Sequence, residues 1–162
     1  MSTNRMLVLL SLALVGCATE KAATEKTTAA EKPGAKSFDL TTSAEVPPCP
    51  AAGPGAKGTS NVTLAPDDSS LTVLVTYSGL SGPVTAGHIH AGKAGEAGPV
   101  VLPFGGDLSS PYSKTFTAAD YVAATGAPPD FPSFVQTLKA GGAYVNVHTA
   151  ACKPGEIRGQ IP

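Results

Sequence analysis

The chain has 162 residues, a formal net charge of −1 and a charged fraction of 14%. Its basic residues form no stripe and do not alternate with aromatic residues, so the sequence does not have the footprint of a nucleic-acid-binding protein. The 18 glycines and 15 prolines indicate many turns, and the length accommodates one domain with additional segments.

Residues 1–16 have the features of an export signal. Arg5 supplies a positive charge, and the apolar run at residues 7–15 is too short for a stable membrane-spanning helix. Residues 14–17 (LVGC) resemble a bacterial lipobox, which predicts cleavage before Cys17 and acylation of that residue, with palmitate among the acyl chains. An ordinary signal peptide that happens to contain a cysteine is the alternative.

In residues 17–36 the sequence Thr-Glu-Lys recurs and no bulky side chain is present. This composition cannot bury enough apolar surface to offset its ordering entropy, so we expect a disordered tether after the lipidated Cys17. Ala18 follows Cys17 in place of Asp, which resembles the sorting signal for the outer membrane. We therefore expect an exported lipoprotein that is anchored in the outer membrane and faces the periplasm or the cell surface. The membrane is its expected partner, together with a protein or envelope component that the sequence does not name.

Short alternating segments dominate residues 37–162. The clearest is residues 71–78, where Leu71, Val73 and Val75 occupy every second position, while residues 131–139 have apolar residues at helical spacing. The predicted strands are residues 38–42, 59–65, 71–78, 84–90, 100–104, 113–117, 143–149 and 156–161. We predict an all-β domain, a Greek-key-like β-sandwich or barrel of seven to eight short antiparallel strands with one short helix.

Three of these strands have polar side chains on one face, because side chains alternate along a strand with a period of two. The residues that share a face are His88 with His90, then Tyr144 with Asn146 and His148, then Glu156 with Arg158 and Gln160. The chain has three histidines in total, so one surface can collect all of them.

The motifs that carry these histidines resemble a known family. Residues 88–101 (HIHAGKAGEAGPVV), 144–149 (YVNVHT) and 155–160 (GEIRGQ) are similar, in this order, to the CHRD domain, which is named for the repeats of chordin. Residues 45–48 (EVPP) and 77–82 (YSGLSG) fit the same pattern. The resemblance covers residues 37–162 and implies a secreted all-β domain without an established set of catalytic residues. It favours a non-catalytic binding or structural module.

Two cysteines remain when Cys17 is acylated. An exported chain meets an oxidising compartment, and the family resemblance places Cys49 and Cys152 near each other, which predicts a disulfide between them. Two separate thiols, one of them a soft metal ligand, are the alternative.

The histidines allow two interpretations. Residues two apart on a strand are separated by roughly 6.5–7 Å, so His88 and His90 can bind one ion, with His148 as a third ligand from another strand. Three imidazoles with a vacant fourth position suit Cu or Zn, so the alternative to a non-catalytic module is a metal-binding protein or a redox enzyme. The copper–zinc superoxide dismutases offer a loose parallel. The second interpretation is a buried polar network, in which the histidines satisfy each other, Asn146, Glu156, Arg158 and the loop backbone.

Overall fold

The computed structural model describes residues 34–162, and the described part contains eight β-strands, one α-helix and two short 3-10 helices. The strands are β1 (Ala35–Thr41), β2 (Lys57–Leu64), β3 (Ser70–Ser78), β4 (Val84–Ala91), β5 (Val100–Pro103), β6 (Tyr112–Thr117), β7 (Ala143–Thr149) and β8 (Ile157–Gln160). The helix α1 is Phe131–Lys139, and the 3-10 helices are Thr42–Ala44 and Ala118–Asp120. The predicted signal peptide, Cys17 and most of the predicted tether lie outside the described residues.

All eight strands belong to one antiparallel sheet in the order β5-β4-β7-β8-β1-β2-β3-β6. The two end strands are connected by side chains, because the Tyr112 hydroxyl donates to the Phe104 carbonyl at 2.7 Å and the two rings stack 4.7 Å apart. The sheet is therefore a nearly closed barrel. The predicted all-β class is confirmed, with eight antiparallel strands in a barrel-like sheet and one α-helix.

The core fills the inside of this sheet. On β3, Leu71, Val73 and Val75 are almost completely buried, while the residues between them are partly or fully exposed, as the alternation of a half-buried strand predicts. The apolar side of α1 joins the same core through Phe131, Phe134, Val135 and Leu138.

The helix α1 has the boundaries that the sequence predicts. The Asp130 carboxylate accepts a hydrogen bond from the Ser133 N–H at 2.8 Å, and Gly141 follows the helix with a φ of 74°. Within residues 34–162, no helix has the length and apolar character needed to cross a membrane.

Strand β7 differs from β3 because all seven of its residues are buried. Its inner face packs in the core, and its outer face is covered by three segments, residues 45–49, 92–99 and 150–155, which we call the covering loops. Their contacts with the outer face of β4, β7 and β8 form the site described next.

Candidate functional site

The three histidines lie on the outer face of two adjacent strands. Ile89 and Val145 point into the core and are fully buried, so the neighbouring His88 and His90 project outward. The outward register pairs are His88 with Asn146, His90 with Tyr144 and Ala86 with His148. β4 and β7 therefore bring the histidines to one surface, as the period-two pattern predicts.

The ring nitrogens of the histidines converge. Nδ1 of His88 is 3.1 Å from Nε2 of His148, and one nitrogen from each of the three rings lies within 4.8 Å of the other two. Nitrogens bound to one ion at about 2.0–2.1 Å in a tetrahedral arrangement are roughly 3.3 Å apart. The pair formed by His88 and His148 has nearly this spacing, and the nitrogen of His90 lies within 4.8 Å of both.

Loop carbonyls orient two of the three rings. Nδ1 of His90 donates to the carbonyl of Gly98 at 2.8 Å, and Nδ1 of His148 donates to the carbonyl of Lys153 at 2.9 Å. Because a carbonyl oxygen only accepts, Nδ1 carries the proton in both rings and Nε2 carries the lone pair. Nε2 of His90 is buried and has no hydrogen-bond partner within residues 34–162. Metal-binding histidines commonly show this arrangement, in which the other ring nitrogen donates to a backbone carbonyl.

The environment keeps the imidazoles neutral. Burial, with smaller contributions from the neighbouring His148 and His90, lowers the pKa of His88 to about 4. Burial also lowers the pKa of His90 to about 4, with His148 and Arg158 acting in the same direction and the bond to Gly98 opposing them. The pKa of His148 is lowered by burial as well. At neutral pH the three rings are therefore uncharged. Nε2 of His148 accepts a hydrogen bond from Nδ1 of His88 at 3.1 Å, and an ion that binds both nitrogens would displace the proton between them.

Tyr144 fixes His90 from the adjacent strand. The two rings stack with centroids 4.7 Å apart and 7° between their planes. The Tyr144 hydroxyl accepts a hydrogen bond from the Gly98 N–H at 3.0 Å, which secures the loop whose carbonyl binds His90. Gly98 has no room for a side chain, because a Cβ there would lie 1.8 Å from the carbonyl oxygen of Ala91. Tyr144 thus orients both the ring and its carbonyl partner.

Arg158 secures the same loop from β8. Its guanidinium carbon is 3.4 Å from the centroid of the Tyr144 ring, and its Nη2 donates to the Lys93 carbonyl at 2.9 Å. A buried cation is stabilised over an aromatic face. The guanidinium of Arg158 has donors and no acceptor, so it does not bind a cation directly; it holds residues 92–99 over the outer face.

Asn146 connects the other two covering loops. Its Nδ2 lies 3.2 Å from Oε2 of Glu45 and 3.4 Å from the carbonyl oxygen of Pro154, and it donates to both. Glu45 is only 3% exposed, and burial raises its pKa to about 7 although Arg158 and Asn146 act to lower it. The sequence gives no site role to Glu45, and the signal that was available is its place in the EVPP motif of the family resemblance.

Glu156 lies apart from the histidines, although the period-two pattern assigns it to the face of Arg158. Its carboxylate accepts hydrogen bonds from the N–H of Gly53, the N–H and hydroxyl of Ser81, and the hydroxyl of Thr149. Burial raises the pKa of Glu156, but these hydrogen bonds outweigh it and the pKa is lowered. The alternation fails here because β8 begins one residue later, at Ile157. Glu156 therefore stabilises loop backbone.

The predicted disulfide between Cys49 and Cys152 is confirmed, with Cα atoms 5.7 Å apart. It joins the covering loop that contains Glu45 to the one that contains Lys153. The alternative of two separate thiols is wrong, so neither cysteine is available as a thiolate ligand. The candidate metal-binding set therefore consists of three neutral imidazoles, a donor set that suits Zn or Cu.

The predicted site residues fall into four groups. The histidines, Asn146 and Arg158 come together under the covering loops, Cys49 and Cys152 form the disulfide, Glu156 hydrogen-bonds elsewhere, and Cys17 is not in the described part of the chain.

Comparison with known proteins gives one match. The family model described as CHRD domain matches residues 36–161, which is more than three quarters of the chain. No curated protein and no solved structure matches the sequence. The histidines, the YVNVHT strand and the GEIRGQ strand all lie within the matched region. The chain therefore belongs to the CHRD domain family.

Proposed function

We propose that the protein is a non-catalytic module of the cell envelope that binds one copper or zinc ion through His88, His90 and His148. Membership of the CHRD domain family supports a non-catalytic module. The observation that carries the metal-binding part is the convergence of three neutral imidazoles, in which Nδ1 of His90 and of His148 each donates to a loop carbonyl and Nε2 of His90 is left without a partner.

A purely structural polar network is the competing function. Most buried polar groups in proteins have a hydrogen-bond partner, and a network that serves only stability is expected to satisfy all its members. Within residues 34–162, Nε2 of His90 is buried and unpartnered, as are Oε1 of Glu45 and Oδ1 of Asn146 in the same network, but of these atoms it is the one that lies among the converging imidazoles. An ion at this position would satisfy it, and this favours metal binding.

A redox enzyme similar to the superoxide dismutases has less support. Within residues 34–162, the three histidines form the one group of metal-ligating side chains close enough to share an ion. The nearby Glu45 and Arg158 contact Asn146 and Tyr144 rather than the three rings.

Elemental analysis tests the metal-binding part. The full-length chain is loaded with copper or zinc, dialysed and measured together with His90→Ala and the control Thr76→Ala, which alters an exposed position on β3. We expect one metal ion per chain for the wild type and the control, and a loss of at least tenfold in occupancy for His90→Ala. Sub-stoichiometric metal that is unchanged in His90→Ala would show that the network is structural.

The envelope location rests on the lipobox at residues 14–17, and it includes an anchor on Cys17 in the outer membrane. Cell fractionation with palmitate labelling tests it. We expect the wild type in the membrane fraction with label, and Cys17→Ser in the soluble fraction without label. A wild-type chain without label would rule out the lipid anchor without affecting the metal site.

A further inference from the structure

We propose that the disulfide between Cys49 and Cys152 controls metal loading, so that the histidine site binds its ion tightly only in the oxidised chain. The inference rests on the metal site proposed above and adds its regulation. It confines loading to an oxidising compartment, because the reduced chain has the weaker site.

Cys152 directly precedes the residue that orients His148. The next residue, Lys153, provides the carbonyl that accepts the hydrogen bond from Nδ1 of His148 at 2.9 Å. The side chains of Lys153 and Pro154 are exposed, so packing of these side chains does not hold the segment. Cys152 itself is fully buried and covalently joined to Cys49. Backbone hydrogen bonds from the Cys152 N–H to the Thr149 carbonyl and from the Gly155 N–H to the Cys152 carbonyl hold the same turn, and the disulfide adds a covalent restraint next to the carbonyl that orients His148.

Cys49, the other half of the disulfide, lies in a second covering loop. Cys49 belongs to the covering loop that begins at Glu45, and Glu45 accepts a hydrogen bond from Asn146 on β7. Asn146 also donates to the carbonyl of Pro154, on the other side of the disulfide. The disulfide thus joins two loops that both contact Asn146. On β7, Asn146 pairs with His88 and lies two residues before His148.

Reduction of the disulfide removes this covalent restraint. A dithiol reductant transfers two electrons, the S–S bond breaks, each sulfur gains a proton, and the reductant itself becomes a disulfide. The segment that contains Lys153 then keeps only hydrogen bonds, among them the one from Asn146 to the Pro154 carbonyl, and we expect the His148 ring to lose its fixed orientation. Removing such an outer partner of a metal ligand typically weakens metal affinity by about 10–100-fold.

Reduction of the disulfide is expected to change the orientation of the His148 ring alone. The carbonyl partner of His90 is Gly98, which is held by Tyr144 in a different covering loop. Loss of the disulfide is therefore expected to disturb His148 and to leave His90 in place. A general loosening of the domain would disturb both rings equally.

The test compares two full-length chains, wild type at the disulfide and Cys49→Ser/Cys152→Ser. Both carry Cys17→Ser, so that neither a lipid nor a third thiol contributes. Zinc affinity is measured by competition with a chromophoric chelator. We expect affinity to be about 10–100-fold weaker in the disulfide-free chain.

Nitrogen NMR of the imidazoles in the metal-free chains provides the second measurement. We expect His148 to be protonated at Nδ1 with the disulfide and to become a mixture of tautomers without it, while His90 is unchanged in both. Equal zinc affinity together with equal His148 tautomers would overturn the proposal. If neither chain binds zinc, the metal site fails, and the tautomer comparison still decides whether the disulfide orients His148.

A further variant tests the proposal if the disulfide-free chain does not fold. If circular dichroism shows that the disulfide-free chain is unfolded, the comparison is made with Pro154→Gly, which keeps the disulfide and loosens the backbone beside Lys153 at an exposed position. We expect Pro154→Gly to bind zinc several-fold more weakly than wild type and its His148 to become a mixture of tautomers. Wild-type affinity and tautomers in Pro154→Gly would then overturn the proposal.

Discussion

The outer faces of the two halves of the sheet are both polar, but only one of them is buried. On β2, β3 and β6 the outward residues are mostly threonines and serines, and threonine hydroxyls pair across strands, as between Thr59 and Thr76 at 2.7 Å. These two side chains are exposed to water. On β4, β7 and β8 the outward residues are histidine, asparagine, tyrosine and arginine, and the covering loops shield them.

The difference shows what covering loops do to a polar surface. Water satisfies the threonine face, so each of its hydroxyls contributes little to stability. Under the loops, each polar atom needs a protein partner or an ion, because burying it unpaired is costly. A ring nitrogen without a partner is therefore informative on the covered face and would be unremarkable on the open one.

The largest expected change in the free energy of unfolding comes from removing the disulfide that joins two covering loops. Cys49→Ser/Cys152→Ser removes a bridge between residues 103 apart in sequence. The chain-entropy relation for a loop of this size predicts that the free energy of unfolding falls by about 4–5 kcal/mol. Urea unfolding followed by circular dichroism measures it. A loss below about 1 kcal/mol would mean that other contacts hold the covering loops and the bridge adds little.

The next effect depends on pH and concerns Glu45 on the covered side. Burial raises its pKa from 4.5 to about 7, so between these values the folded chain binds more protons than the unfolded chain. The stabilisation by protonated Glu45 is complete below pH 4.5 and is lost as the pH rises through 7. Glu45→Gln removes this dependence. We expect the variant to gain roughly 3 kcal/mol relative to wild type between about pH 4.5 and 8.

Urea unfolding of both chains across this pH range measures the difference, and titration of the histidines cancels because it is common to both. A difference that stays constant with pH would show that the Glu45 carboxyl titrates normally in the folded chain.

A smaller effect is expected from Asn146→Ala. The change leaves the Glu45 carboxyl and the Pro154 carbonyl without the donor they share, at a position that is 3% exposed. Unfolding free energy should fall by about 1–3 kcal/mol, the usual cost of leaving buried polar atoms unpaired. Thermal and urea unfolding provide the measurement. A neutral result would imply that water reaches these atoms and that the covered face is not dry.

The smallest effect is expected on the open face. Thr76→Ala removes one hydroxyl of an exposed cross-strand pair, and the Thr59 hydroxyl can bond to water instead. The free energy of unfolding should change by no more than about 0.5 kcal/mol. The same urea experiment measures it beside Asn146→Ala. Equal losses at the two positions would remove the distinction between the covered and open faces.

Local sequence patterns were enough to predict several strands, the helix and the shared surface of the histidines. Helix 131–139 and strand 143–149 have the boundaries that periodicity predicts, because their hydrogen bonds and burial repeat with a regular period. The shared surface of His88, His90 and His148 follows from the same alternation once β4 and β7 are neighbours. Family resemblance added the pairing of Cys49 with Cys152.

Contacts between distant segments could not be predicted in this way. Glu45 meets Asn146 across 101 positions of sequence, and the carbonyls of Gly98 and Lys153 carry no side-chain signal at all. Glu156 departs from the predicted face because the strand starts after it, and the position of a strand end depends on the turn before it.

The sequence by itself determined the all-β class, the alternation of the strands and the types of polar residue on β4 and β7, since these depend on side-chain chemistry and short spacing. Only the tertiary structure decided that loops cover one polar face and leave the other open. The reason is physical: burial of a polar group and the donors or acceptors that surround it are set by chain segments far away in sequence, whose approach no local pattern encodes.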